Sequence, residues 1–299
     1  MTRVPLTYRP MKAGAVAVAI CFGAISANGQ IQLELKLPRL QYIAYEPVTV
    51  HLALTNLAGR DVELRNENGQ TWLGFEVAGS EGQSIGSIAA TKELPLKVEA
   101  GKTVVRKINL TPLYSIHDFG TYRVRAHIYF ADLNKFYYSQ TRVFEVTDAR
   151  PIWQKTVGVP KETSVSGNTR TYSLMTNRFP DHTSLYVRVE DKDSGVVYAT
   201  YSLGRMIAFD APQAELDLAN QLHILYCAAP RNWTYARVSL DGQLVSHASF
   251  IETKTRPRLL RADDGSVKVA GGVIFSPAPS PHASAAALSG QTSNDSQDN

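Results

Sequence analysis

Cysteine is almost missing from this chain: Cys21 and Cys227 are the only two in 299 residues. That excludes a disulfide framework of the kind that staples small secreted scaffolds. Charge is also sparse, at 19% of residues, and there is no Lys/Arg run, so the chain lacks the electrostatic footprint of a nucleic-acid or anionic-membrane binder. Catalytic signatures are missing as well: there is no G-x-S-x-G, H-E-x-x-H, P-loop, C-x-x-C or G-x-G-x-x-G. The seven histidines are scattered, with none at i,i+2 or i,i+4 to another, and this spacing offers no close ligand pair for a metal. Neither a metal nor a cofactor is expected.

One apolar run does stand out. Arg3, Arg9 and Lys12 precede the stretch Ala13 to Ala27, and small residues follow it. This order matches a secretory signal peptide over residues 1–29, cleaved after Ala27 or Gly29, and the run is too short to span a bilayer. Its removal takes away those three cations and no acid, so the formal charge falls from +4 to +1. The expected location is therefore secreted, periplasmic or at the cell envelope, with no transmembrane segment in the mature chain.

An apolar fraction of 44%, frequent Val, Thr, Tyr and Ser, and short alternating runs predict an all-β protein. Residues 30–148 carry about seven such runs between Gly, Asn and Asp turn signals, which is the arithmetic of a β-sandwich. The phrases Tyr45-Glu46-Pro47-Val48-Thr49-Val50, Leu54-Thr55-Asn56, Ala100-Gly101-Lys102-Thr103 and Gly120-Thr121-Tyr122-Arg123-Val124 resemble the Ig-like domains of secreted bacterial proteins. The resemblance implies a fold and no particular activity, because such domains serve adhesins, enzyme accessory modules and inhibitors alike.

Residues 149–275 predict a second all-β domain, a small sandwich or a meander of hairpins. An offset of 37 aligns Leu185, Tyr198, Ala199, Ser202 and Leu203 with Leu222, Tyr235, Ala236, Ser239 and Leu240. This weak repeat resembles β-propeller blades, although the stretch is too short for a closed ring. The tail, residues 276–299, is rich in Ser, Ala, Pro and Asn and is expected to be disordered.

Several side-chain groups invite a chemical reading. Asp191, Asp193 and Gly195 resemble the start of a calcium loop, but strand-like flanks and the lack of a closing Glu favour a hairpin turn. Cys227 reads as a buried thiol. Asp210, Glu215, Asp217 and His223 concentrate acids around one imidazole, the raw material of a dispersed hydrolase site. The stretch EGQSIGSIAATKE is open enough to be an inhibitory loop.

In SIHDFGTYRVRAHIYF, residues 115–130, Gly120 and Tyr122 are expected to form a structural corner, the tyrosine hydroxyl bonding the backbone a few residues upstream. His117 and Asp118 then belong to the connection that this corner holds. The best non-catalytic lead is KFYYSQ, where Phe136, Tyr137 and Tyr138 follow a turn consecutively, so that a strand must point at least one ring outward. These three are the expected partner-binding residues, with a protein or a carbohydrate as partner. The sequence thus favours an exported, non-catalytic binding or scaffolding module. A protease inhibitor or enzyme accessory module and a hydrolase are the alternatives.

Overall fold

The computed structural model describes residues 30–91, 93–160 and 169–275. The expected signal peptide, the tail 276–299 and residues 161–168 of the polar stretch KETSVSGNTRT lie outside the described residues. Among those described, every regular element is a strand except one 3-10 turn at Ala131–Leu133. No described helix is long and apolar enough to cross a membrane.

The first half contains β1 (Ile31–Lys36), β2 (Gln41–Ile43), β3 (Thr49–Asn56), β4 (Val62–Leu64), β5 (Leu73–Ala78), β6 (Ser84–Ile85), β7 (Leu96–Val98), β8 (Thr103–Asn109), β9 (Gly120–Phe130), β10 (Lys135–Tyr138) and β11 (Arg142–Thr147). They form a sheet β1-β3-β8, a sheet β2-β11-β9-β5-β6 with β10 beside β9, and a short β4-β7 ladder. The two-residue side-chain period decides which face is buried. Val50, Leu52 and Leu54 of β3 and Tyr122, Val124, Ala126 and Ile128 of β9 point into one shared core, closed by Trp72 and Phe144.

β9 organises this half. At its start Gly120 takes φ +141°, a conformation that a side chain would strain, and a Cβ there would collide with Ser80 Oγ. Two residues on, the Tyr122 hydroxyl donates to the Asp118 carbonyl at 2.9 Å while its ring stacks on Phe144. β9 then pairs β11 along its first part and β10 along its last. Ser139 bridges the gap between these partners: its Oγ accepts the Ala126 N–H at 3.0 Å, and its own N–H reaches the Ala126 carbonyl.

The second half contains β12 (Arg150–Gly158), β13 (Thr169–Arg178), β14 (Thr183–Asp191), β15 (Val196–Met206), β16 (Gln213–Leu216), β17 (Leu222–Ala229), β18 (Asn232–Val238), β19 (Leu244–Ile251), β20 (Arg258–Arg261), β21 (Val267–Ala270) and β22 (Val273–Phe275). The sheets β12-β13-β14-β15 and β16-β17-β18-β19-β22 are antiparallel, and β20-β21 is a separate hairpin ladder. The two large sheets bury Leu174, Leu185, Val187, Leu222, Ile224 and Val238 between them. The 37-residue offset carries β14 onto β17 and β15 onto β18, so the weak repeat marks equivalent meander strands in the two sheets. Among the described residues no sheet closes on itself.

Side chains of both halves weld the junction. Ile43, Ala149, Met175 and Tyr186 form an apolar cluster. Beside it, buried Glu46 accepts the Ile43 N–H at 3.1 Å and Arg39 Nη2 at 2.6 Å, while Arg39 Nη1 donates to the Tyr186 hydroxyl at 3.0 Å. Arg188 ties in the other edge, donating to the Ala44 carbonyl at 2.8 Å and to Thr200 Oγ1 at 3.0 Å.

Candidate functional site

The outward face of β9 and β10 exposes aromatic rings. Phe136 lies opposite Tyr129 and Tyr138 opposite His127 in the ladder. Phe136 and Tyr138 are 36% and 47% exposed, their ring centroids 6.4 Å apart. Tyr137 points the other way and packs on the core, so the alternation of β10 removes it from the expected binding trio. His127 lies beneath, its ring 5.8 Å from Phe136 and 5.9 Å from Tyr138. The Arg125 guanidinium sits 4.5 Å over the Tyr138 ring and is held by Glu76 Oε2 at 2.6 and 3.1 Å, which fixes one face of the ring.

The floor depends on a glycine. A Cβ on Gly74 of β5 would meet His127 Nε2 at 2.4 Å, so the imidazole lies flat only because position 74 has no side chain. His127 Nδ1 is buried without a hydrogen-bond partner among the described residues. Burial depresses its pKa, Glu76 opposes the shift and Arg125 adds to it, so the balance favours the neutral ring.

Beyond His127 the surface falls into a trough of about 450 Å³, lined by Thr71, Gly74, Ala89, Thr91 and Tyr114 among others. Ile88 and Tyr114 are shared with a second hollow of about 440 Å³, which lies between the halves of the chain. Its first-half wall carries Tyr45, Pro112 and His117, and its second-half wall carries Tyr198, Ala199 and Tyr201. Tyr45 adopts φ +67°, a strained value for a bulky residue. Its ring stacks on His117 with centroids 5.3 Å apart, and Arg188 lies 5.5 Å from the same ring. His117 in turn contacts Asp118 at 3.2 Å.

The other candidates are accounted for structurally. Asp217 Oδ2 and His223 Nε2 meet at 3.0 Å and His223 Nδ1 meets the Tyr235 hydroxyl at 2.8 Å, which occupies both nitrogens of an imidazole that is almost wholly buried. Glu215 is the ladder partner of His223, but Asp210 turns away to pair with Arg256. The four residues therefore do not converge on an open pocket. Asp191 Oδ1 accepts the Asp193 N–H at 2.9 Å, which is turn chemistry, and no cluster of potential metal ligands occurs among the described residues. Cys227 is buried, and burial pushes its thiol pKa up, away from reactive thiolate.

KFYYSQ was visible in sequence as a run of aromatics after a turn. The trough and the hollow were not: their walls combine small residues and tyrosines from distant segments, which no local spacing marks. No protein-family model matches the chain and no curated protein matches it.

Proposed function

We propose that this chain is an exported, non-catalytic binding module whose ligand is a carbohydrate held on the outward face of β9 and β10. The N-terminal basic and apolar order supports export, and the Tyr45-to-Asn56 and Gly120-to-Val124 phrases support an Ig-like first half of a kind common in exported proteins. One observation carries the reading of the site: Phe136 and Tyr138 stand exposed yet ordered, backed by His127 and clamped by Arg125. Large apolar rings gain by leaving water, and a flat pair with polar edges suits a sugar ring, which offers an apolar face rimmed by hydroxyls.

The test is retention of the purified chain on immobilised polysaccharides. Each ring contributes about 0.5–1.5 kcal/mol beyond its area, so Tyr138→Ala should weaken binding at least about twofold while the far-UV spectrum stays unchanged. Full retention by both Phe136→Ala and Tyr138→Ala would remove this face from consideration.

A further inference from the structure

The aromatic face, the trough and the hollow between the halves adjoin in order. His127 belongs to the face and to the trough, and Ile88 and Tyr114 belong to the trough and to the hollow. We infer that they form one continuous track for a single linear, neutral polysaccharide that contacts both halves of the chain. This inference rests on the carbohydrate reading given above and adds the length and charge class of the ligand.

Three features carry it. The first is continuity: β10, β9 and β5 are neighbours in one sheet, about 5 Å apart, so a chain lying on Phe136 and Tyr138 passes His127 and reaches the trough over Gly74 within about 10 Å. Ile88 is the ridge it then crosses, 65% exposed and held by its own backbone N–H on the Leu113 carbonyl.

The second is charge. Among the described residues, neither the trough nor the hollow is lined by any Lys, Arg, Asp or Glu, and His127 and His117 are the only titratable side chains there apart from tyrosine. An anionic polymer would want arginines or lysines along its path, and a cationic one would want carboxylates. The guanidinium groups nearby are engaged within the fold: Arg125 on Glu76 and Tyr138, Arg188 on Ala44 and Thr200, and Arg170 on the Leu240 carbonyl and over the Tyr198 ring.

The third is the far end. Tyr45 keeps its strained backbone between His117 and Arg188, at a wall facing Tyr198 on the other half. The tight turn that the Glu46 N–H closes on the Ile43 carbonyl sets that backbone angle and presents the ring at the hollow. A second aromatic station at that distance serves only a ligand long enough to reach it, and two stations on one chain raise affinity with length.

The experiment measures binding of the full chain to neutral glycans of matched chemistry and different length. The probes are β-glucan, xylan, mannan and α-glucan, each as disaccharide, hexasaccharide and polymer, read by calorimetry or affinity electrophoresis. One series should bind, its hexasaccharide at least about tenfold tighter than its disaccharide. Ile88→Arg, which puts a charge on the ridge without touching the core, should abolish that gain. Tyr45→Ala should act in the same direction, and Tyr138→Ala should weaken every length. Equal affinity across lengths, or a polymer affinity indifferent to Ile88→Arg, would overturn the continuous track and leave the aromatic face standing. Binding of none of the four series by the wild-type chain would overturn the carbohydrate reading and the track together.

Discussion

Gly74→Ala is the sharpest single perturbation of the aromatic face, because it adds one methyl group and aims it at one ring. A Cβ at that position would lie 2.4 Å from His127 Nε2 and 2.6 Å from Cε1, more than 1 Å inside an ordinary van der Waals contact. Gly74 has no positive φ, so alanine meets no backbone strain there and the whole cost comes from the imidazole. Overpacking of this kind costs about 1–3 kcal/mol. With His127→Ala in place the obstacle is gone. The same Gly74→Ala change then narrows the unfolded ensemble and should stabilise the chain by about 0.4–1 kcal/mol. The double-mutant cycle should therefore show a change of sign, with a coupling energy of about 1.4–4 kcal/mol between the two positions. Urea unfolding of the four proteins measures it. An equal destabilisation by Gly74→Ala in both backgrounds would show that the imidazole is not what the glycine accommodates, and the account of how the aromatic face is floored would fail.

Tyr122→Phe removes the hydroxyl that bonds the Asp118 carbonyl and keeps the ring on Phe144. Stability should fall by about 0.5–1.5 kcal/mol with glycan binding unchanged, as denaturant titration and affinity electrophoresis would register. The pH response should come from His127. Its folded pKa is depressed, first by burial, so between that value and the ordinary histidine value near 6.5 the unfolded chain binds more protons than the folded one. The contribution of His127 to stability is then complete above the ordinary value and is lost as pH falls through it towards the depressed one. Unfolding midpoints measured from pH 7.5 to 5 should show this slope in the wild type and a shallower one in His127→Ala.

The legible parts of this molecule are those whose cause is local. Alternation in β3 and β9 reveals the core face directly, and Gly120 with Tyr122 announces a corner because a special backbone angle and a hydroxyl two residues later are both written in sequence. KFYYSQ is half legible. A strand carrying three consecutive aromatics must expose some of them, but which ones follows from register, and Tyr137 faces inward because Phe136 and Tyr138 pair with Tyr129 and His127. The acids around His223 show the opposite case. Asp217 and His223 do meet, yet the contact completes a buried chain with Tyr235, and burial, which sequence spacing does not encode, separates a structural imidazole from a reactive one. Tyr45 was legible as part of a strand entry. Its positive φ belongs to the tight turn closed by the Glu46 N–H on the Ile43 carbonyl, whereas the partners of its ring come from the loop before β9 and from β14, far from it in sequence.

The junction decides whether the far end of the track has a fixed place. Interfaces between halves of a chain are commonly mobile unless they are large and apolar, and this one is held instead by polar groups sealed against a small apolar cluster. Glu46 is the keystone: it is buried, its two oxygens are taken by Arg39 and by the Ile43 N–H, and Arg39 reaches on to the Tyr186 hydroxyl of the second half. Removal of one member leaves a polar or charged group without its partner in a dry place, so these contacts hold or fail together. Arg188 adds a second tie at the mouth of the hollow, on the backbone of Ala44 and over the ring of Tyr45. The walls bearing Tyr45 and Tyr198 are therefore set at their separation before any ligand arrives, and the ordering cost of bringing two aromatic stations onto one chain has been met within the fold.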